Sequence, residues 1–308
     1  MADPKDVRFY GAVVLGVAAV SVAVVLSARR PKGPPLVSPT SPAAPAVAWC
    51  ARGLEPIAGG GCFAAPARTP APLVVYLHGR HADETLAEEL ARQARVARLG
   101  TSRGFAVLAL RGKRGECTDP QLASFWCWPS NEKNAVDGAK WVAEWEPAIA
   151  EAERRAGRSR RHLLGFSNGG YFAVVIATRG LLPFDAVAVA HAGPVEPTVA
   201  RGAKPPMLLV TADDDPSNDE MMRLDAELAR AEWPHHIVAR GGGHELPDED
   251  VQWALAFFAR AEGGRLPPAP GGHAPRHKES MPEGGEPDAA TEADAAITAS
   301  PAAGETEP

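Results

Sequence analysis

Residues 161–170 read Arg161-His162-Leu163-Leu164-Gly165-Phe166-Ser167-Asn168-Gly169-Gly170. A short apolar run turns sharply at a serine into Tyr171-Phe172-Ala173-Val174-Val175-Ile176-Ala177, which reads as a buried helix. Gly165, Ser167 and Gly169 fit G-x-S-x-G, a strand-to-helix turn that lifts the serine hydroxyl clear of a sheet. On so tight a turn the residues two before and two after the serine approach closely, and glycine leaves the room. The same turn points the Asn168 backbone N–H at any oxyanion that forms beside the hydroxyl.

Working outward, the apolar runs at residues 73–77, 105–110, 161–166, 185–190, 207–211 and 235–239 are continuous. They read as strands buried on both faces. Helical patterns at residues 85–99, 132–156, 217–231 and 248–261 separate most of them, which predicts a doubly wound, mostly parallel α/β sheet. Prolines and glycines between residues 194 and 206 break the helix expected there. Before the sheet, Gly59-Gly60-Gly61 between two short segments predicts an antiparallel N-terminal hairpin.

The ends have a different character. Residues 9–28, from Phe9 to Ala28, carry no charge, enough for one membrane-spanning helix. Leu26-Ser27-Ala28 is a poor cleavage site, which favours an uncleaved anchor over a removed signal peptide, the chain being secreted if the segment is cut. Residues 29–46 read as a proline-rich linker. Residues 263–308 hold eight Asp/Glu against three Lys/Arg, a net of −5 in a chain of net −6, and read as a disordered acidic tail. Residues 1–8 flank the anchor, and a single α/β domain is expected over 47–262. That domain is near neutral with no basic groove, which argues against nucleic acid. The basic run from Arg154 to Arg161 reads as a solvated loop rather than a contact with anionic lipid.

A serine nucleophile needs a base and a carboxylate to orient it. In an open parallel sheet such groups gather at the C-terminal ends of strands. Gly241-Gly242-Gly243-His244 follows the last strand, and its glycines let His244 bend toward Ser167. Asp213, Asp214 and Asp215 follow the strand before it, so the order is Ser, Asp, His. His191, ending a strand, is read as a site-edge or packing residue.

On Leu77-His78-Gly79, the elbow, an acid after the penultimate strand and the Gly-Gly-Gly-His run, the chain resembles the α/β-hydrolases. It is nearest the dienelactone-hydrolase and polyhydroxybutyrate-depolymerase or feruloyl-esterase-like branches. The resemblance covers about residues 73–261. It implies that Asp215 is the acid, with Asp213 the runner-up. It implies that the Arg80 N–H, with Gly79 as runner-up, joins Asn168 as an oxyanion donor. It implies a serine hydrolase of carboxylic esters, small-molecule or polyester, that needs no cofactor. A serine peptidase or a non-catalytic binding protein on the same fold are the alternatives. His78, His81 and Asp83 hint at a metal, but no further ligand set accompanies them, so none is expected.

Cys50/Cys62 and Cys117/Cys127 form two local pairs, expected as structural disulfides. They favour an inner-membrane-anchored chain with the hydrolase domain periplasmic or extracellular, although the flanking charges lean the other way. The loop between Cys117 and Cys127 leaves the C-terminal end of the sheet. Phe125, Trp126 and Trp128 are therefore expected to wall the substrate pocket, or else to plug the gap against Trp141. The oligomeric state has no signature.

Overall fold

The computed structural model describes residues 49–117, 119–130, 137–157, 160–195 and 203–261. The chain divides into Met1–Val47 and Ala48–Pro308, and every described residue belongs to the second unit. The expected anchor at 9–28, linker and acidic tail lie outside the described residues, as does the segment 196–202. Among the described residues no helix is long and apolar enough to cross a membrane.

The strands are β1 (Glu55–Ile57), β2 (Gly61–Ala64), β3 (Leu73–Leu77), β4 (Ala106–Leu110), β5 (Lys113–Arg114), β6 (Trp126–Cys127), β7 (Arg161–Phe166), β8 (Ala186–Ala190), β9 (Met207–Ala212) and β10 (His235–Arg240). The helices are α1 (Leu86–Ser102), α2 (Gly138–Ala156), α3 (Asn168–Arg179), α4 (Asn218–Arg230) and α5 (Asp248–Ala261). Eight strands form one sheet in the order β1-β2-β4-β3-β7-β8-β9-β10. The expected hairpin, β1 with β2, and the β2–β4 pair are antiparallel; all other neighbours are parallel.

The alternation along each strand explains the continuous apolar runs. Leu73, Val75 and Leu77 face a core with Trp141 and Val142 of α2, Phe172 of α3 and Leu224 of α4. Val74 and Tyr76 face the opposite core, with Val96 of α1 and Phe257 and Phe258 of α5. Each such large side chain contributes about 1.5–3 kcal/mol by leaving water.

Register positions the loops. Leu77 pairs with Gly165, Phe166 with Ala190, and Ala212 with Arg240. The turns after β3, β7, β8, β9 and β10 therefore leave the C-terminal end of the sheet nearly level. Of the basic run, three arginines before and at the start of β7 are ion-paired: Arg154 and Arg155 with Glu151, Arg155 also with Glu55, and Arg161 with Glu153.

Both expected disulfides are formed, Cys50–Cys62 and Cys117–Cys127, each with Cα atoms 5.4 Å apart. In the loop after β4, β5 and β6 pair as a short antiparallel ribbon. Gly112 permits it, since a Cβ at that position would lie 2.5 Å from the Cys127 carbonyl oxygen.

Glu89 of α1 is fully buried, and burial pushes its carboxyl up to about 8, with Arg92 acting in the opposite sense. A folded-state value above the unfolded one favours folding below about pH 4.5, and that contribution fades as pH rises through 8. Glu89→Gln is expected to flatten the melting temperature between pH 5 and 8 and to raise it at the alkaline end, as read by thermal melts across pH. An unchanged pH dependence would reject the assignment.

Candidate active site

The elbow forms as the glycines require. Ser167 has φ 52° and ψ −123°, a strained turn between β7 and α3. A Cβ on Gly165 would sit 2.4 Å from the Gly169 carbonyl oxygen, and one on Gly169 would sit 2.3 Å from that of Leu77. The Ser167 N–H donates to the Ala190 carbonyl at 2.8 Å, which ties the turn to β8.

His244 follows β10 through a loop in which Gly242 has φ +100°. Its Nε2 lies 2.8 Å from Ser167 Oγ, and its Nδ1 lies 3.0 and 3.1 Å from the two carboxylate oxygens of Asp215. Of the three aspartates after β9, Asp215 is the one His244 meets. The Asp213 and Asp214 backbone N–H groups instead donate to the carbonyls of Arg240 and Gly242, at 3.0 Å each. The runner-up Asp213 is thereby set aside.

Asp215 is buried and accepts the N–H and the hydroxyl of Ser217, both at 2.6 Å. Burial alone would raise its pKa; hydrogen bonds from His191, His244 and Ser217 outweigh this and hold it well below the ordinary range. An aspartate so held stays ionised. It fixes His244 with the proton on Nδ1, which leaves Nε2 to accept the proton of Ser167.

The turn after β3 lies against the serine. A Cβ on Gly79 would be 3.3 Å from the Ser167 Cβ and would strike the Phe166 ring. His78 holds this turn: its Nδ1 donates to the Gly79 carbonyl at 2.6 Å, and its Nε2 accepts the Gly112 N–H at 2.8 Å. Burial lowers its pKa well below the usual value, so it is neutral, with both nitrogens used by backbone. Pinning the Gly79 carbonyl also fixes the N–H of the same peptide, that of Arg80, on the opposite side. Arg80 and Asn168 both line the cavity over Ser167, and Gly79 does not. The Asn168 side chain is occupied with the Trp128 N–H, at 2.7 Å, and with Ser130. Its backbone N–H stands at the first turn of α3, where helical N–H groups lack intrahelical partners.

The expected aromatic wall is corrected. Trp128 is fully buried among His78, Trp145 and Phe172. Its indole N–H donates to the His78 carbonyl at 2.8 Å, so it buttresses the turn after β3 from inside the core. Trp126 lies beneath Arg111 and donates to Asp83 at 3.0 Å. Neither these two nor Phe125 lines the cavity. The loop contributes Glu116, Cys117, Asp119 and Leu122 instead, around a volume of about 530 Å³. Cys127 and Trp128 turn inward, while Phe125 and Trp126 stay half-exposed away from the cavity.

Several site residues escaped the reading of the sequence. Glu116, Tyr171 and Glu220 line the cavity, with the Tyr171 hydroxyl 2.6 Å from Glu220. His191, read from the sequence as a site-edge or packing residue, is wholly buried against Asp215. Ligand atoms of His191, Asp215 and His244 fall within 4.8 Å of one another, a spacing a metal ion can use. Here both Nδ1 atoms face Asp215 oxygens as donors to an acceptor, so a metal would have to displace those bonds.

Solved structures share the architecture. The Bacillus cereus carboxylesterase matches at a TM-score of 0.50 and 18% identity, over 65% of this chain and 93% of that one. Esterase PE8 matches at 0.50 and 19% identity, over 66% and 98%. Arabidopsis thaliana SOBER1 matches at 0.50 and 17%, over 62% and 100%. At these identities the likeness establishes the fold, which is that of the α/β-hydrolases. No protein-family model matches the sequence, and no curated protein does.

Proposed function

We propose that the chain is a serine hydrolase that cleaves carboxylic esters through an acyl-enzyme. The observation that carries this reading is the line of hydrogen bonds from Ser167 through His244 to Asp215, beside a cavity of about 530 Å³. In this reading His244 takes the Ser167 proton as Oγ attacks the acyl carbon. The carbonyl π pair moves onto oxygen, which the Asn168 and Arg80 N–H groups hold; each such donor is worth ~3 kcal/mol of barrier. His244 then gives its proton to the departing alcohol. A water molecule, deprotonated by His244, attacks the acyl group. Ser167 leaves with its proton restored, and the acid is released. Asp215 remains ionised throughout and stabilises the imidazolium.

Neighbours of the same fold bear the names carboxylesterase and esterase, which supports a small-molecule ester as substrate. The test is a fluorophosphonate probe together with p-nitrophenyl acetate and a peptide p-nitroanilide, on purified protein. Labelling of Ser167 and preferential ester turnover are expected. Absent labelling would overturn the hydrolase reading, and faster amide turnover would replace the esterase by a peptidase.

In the same reading residues 9–28 anchor the chain, with the hydrolase domain on the periplasmic or extracellular side. Two disulfides within one domain support an oxidising compartment. Resistance to alkaline carbonate extraction is expected, and release of the full-length chain would remove the anchor.

The Cys117–Cys127 bridge closes a short loop whose residues line the cavity, and in the chain-entropy model it is worth about 2–3 kcal/mol. Cys127→Ser is expected to raise KM for bulky esters more than for acetate esters, with kcat for acetate largely kept. Equal KM changes across the series would dissociate the bridge from the pocket wall.

A further inference from the structure

A closed ring of hydrogen bonds lies behind Asp215. His191 follows β8 with φ +56°, a region entered by few side chains. Its Nδ1 meets Asp215 Oδ2, and its Nε2 lies 2.8 Å from Asp250 Oδ2, in the first turn of α5. The other oxygen of Asp250 accepts Arg240 Nε at 3.0 Å. Arg240 ends β10 and donates onward to the carbonyls of Gly241, Gly243 and Glu245, at 2.9, 3.3 and 3.0 Å. Those carbonyls belong to the loop that carries His244. His244 is therefore held twice, by its ring through Asp215 and by its backbone through Arg240. His191 and Asp250 join the two holds.

The proton count follows from donor chemistry. A neutral imidazole has one donor and one acceptor nitrogen, so one of its nitrogens would set a lone pair against a carboxylate oxygen. Only the doubly protonated ring donates at both ends. Placing the proton on Asp250 instead would neutralise a carboxylate that faces the Arg240 guanidinium. With His191 charged, the buried set of Asp215, Asp250, Arg240 and His191 sums to zero; with it neutral, an uncompensated negative charge remains inside the protein. Burial by itself would lower the His191 pKa, but the two carboxylates outweigh it and raise it.

We infer that His191 is a permanent imidazolium clamped between Asp215 and Asp250, and that it is a positioning residue which fixes the acid behind His244. The inference rests on the hydrolase reading for its catalytic consequence but not for its charge state. The groups that face His191 are Asp215 from the loop after β9, Asp250 from α5 and His244 from the loop after β10; Arg240 and Glu245 lie beyond Asp250. The His191 and His244 rings are 5.8 Å apart.

The first test needs no variant. Nitrogen NMR of histidine-labelled full-length protein is expected to show His191 with both ring nitrogens protonated at neutral pH; a neutral His191 ring at pH 7 would overturn the inference. The second is His191→Gln, with His191→Gln/Asp250→Asn alongside so that the buried set of charges still sums to zero. In either variant that folds, kcat is expected to fall with KM kept, because Asp215 loses the group that fixes it. A purely structural His191 would change melting temperature and leave kcat where it was, which would also overturn the inference. The His191 ring is readable by NMR even if no ester is turned over, so failure of the clamp and failure of the hydrolase reading give different results.

Discussion

Ser167→Ala is expected to reduce ester turnover by about 10⁶-fold, to the background of the remaining binding groups, and to abolish fluorophosphonate labelling. In the proposed reading this hydroxyl forms the acyl bond, and among the described residues its partner His244 has no second nucleophile within its hydrogen bonds. The fold should survive. The turn is set by close packing of Gly165 and Gly169 and by the Ser167 N–H to Ala190 bond, none of which involves the hydroxyl. Removing Oγ costs one exposed hydrogen bond of 2.8 Å, a loss of about 1 kcal/mol or less. An alanine variant that hydrolyses p-nitrophenyl acetate at the wild-type rate would remove Ser167 from the chemistry.

Asp215→Asn is the second large effect. An amide in place of this carboxylate can present a donor to His244 Nδ1 and so favour the wrong tautomer, in which Nε2 carries the proton and cannot accept that of Ser167. Loss of about 10⁴-fold in kcat is expected, by the measure of the worked serine-protease case. The change also takes a charged acceptor from His191 and Ser217, so melting temperature should fall. Asp213→Asn and Asp214→Asn, whose N–H groups serve the backbone of the β9 and β10 loops, should keep most activity. If Asp215→Asn kept full kcat while Asp213→Asn lost it, the acid would be reassigned.

Much of this was legible in the chain because it is local. A strand buried on two faces is written as a run such as Leu73-Val74-Val75-Tyr76-Leu77. The elbow is written in two glycines whose absent side chains the turn requires, and the cysteines are close enough in sequence to pair within their own segments. His244 could be chosen because its glycine-flanked place after the last strand defines where it emerges. Asp250 left a fainter mark: it shares a helical face with Ala254, Phe257 and Phe258, all buried, so a carboxylate stands where periodicity calls for an apolar residue.

By itself, then, the sequence determined the parallel sheet, the Ser-Asp-His order, the hairpin and the two bridges, since each follows from periodicity or from spacing within one element. Only the tertiary structure decided which of three adjacent aspartates meets His244, that Trp128 turns into the core beneath the turn after β3, and that His191 lies between Asp215 and Asp250. Those outcomes depend on contacts between residues 29, 50, 24 and 59 positions apart. Their geometry comes from strand register and from the exit direction of loops, and neither leaves a trace in the periodicity of one element.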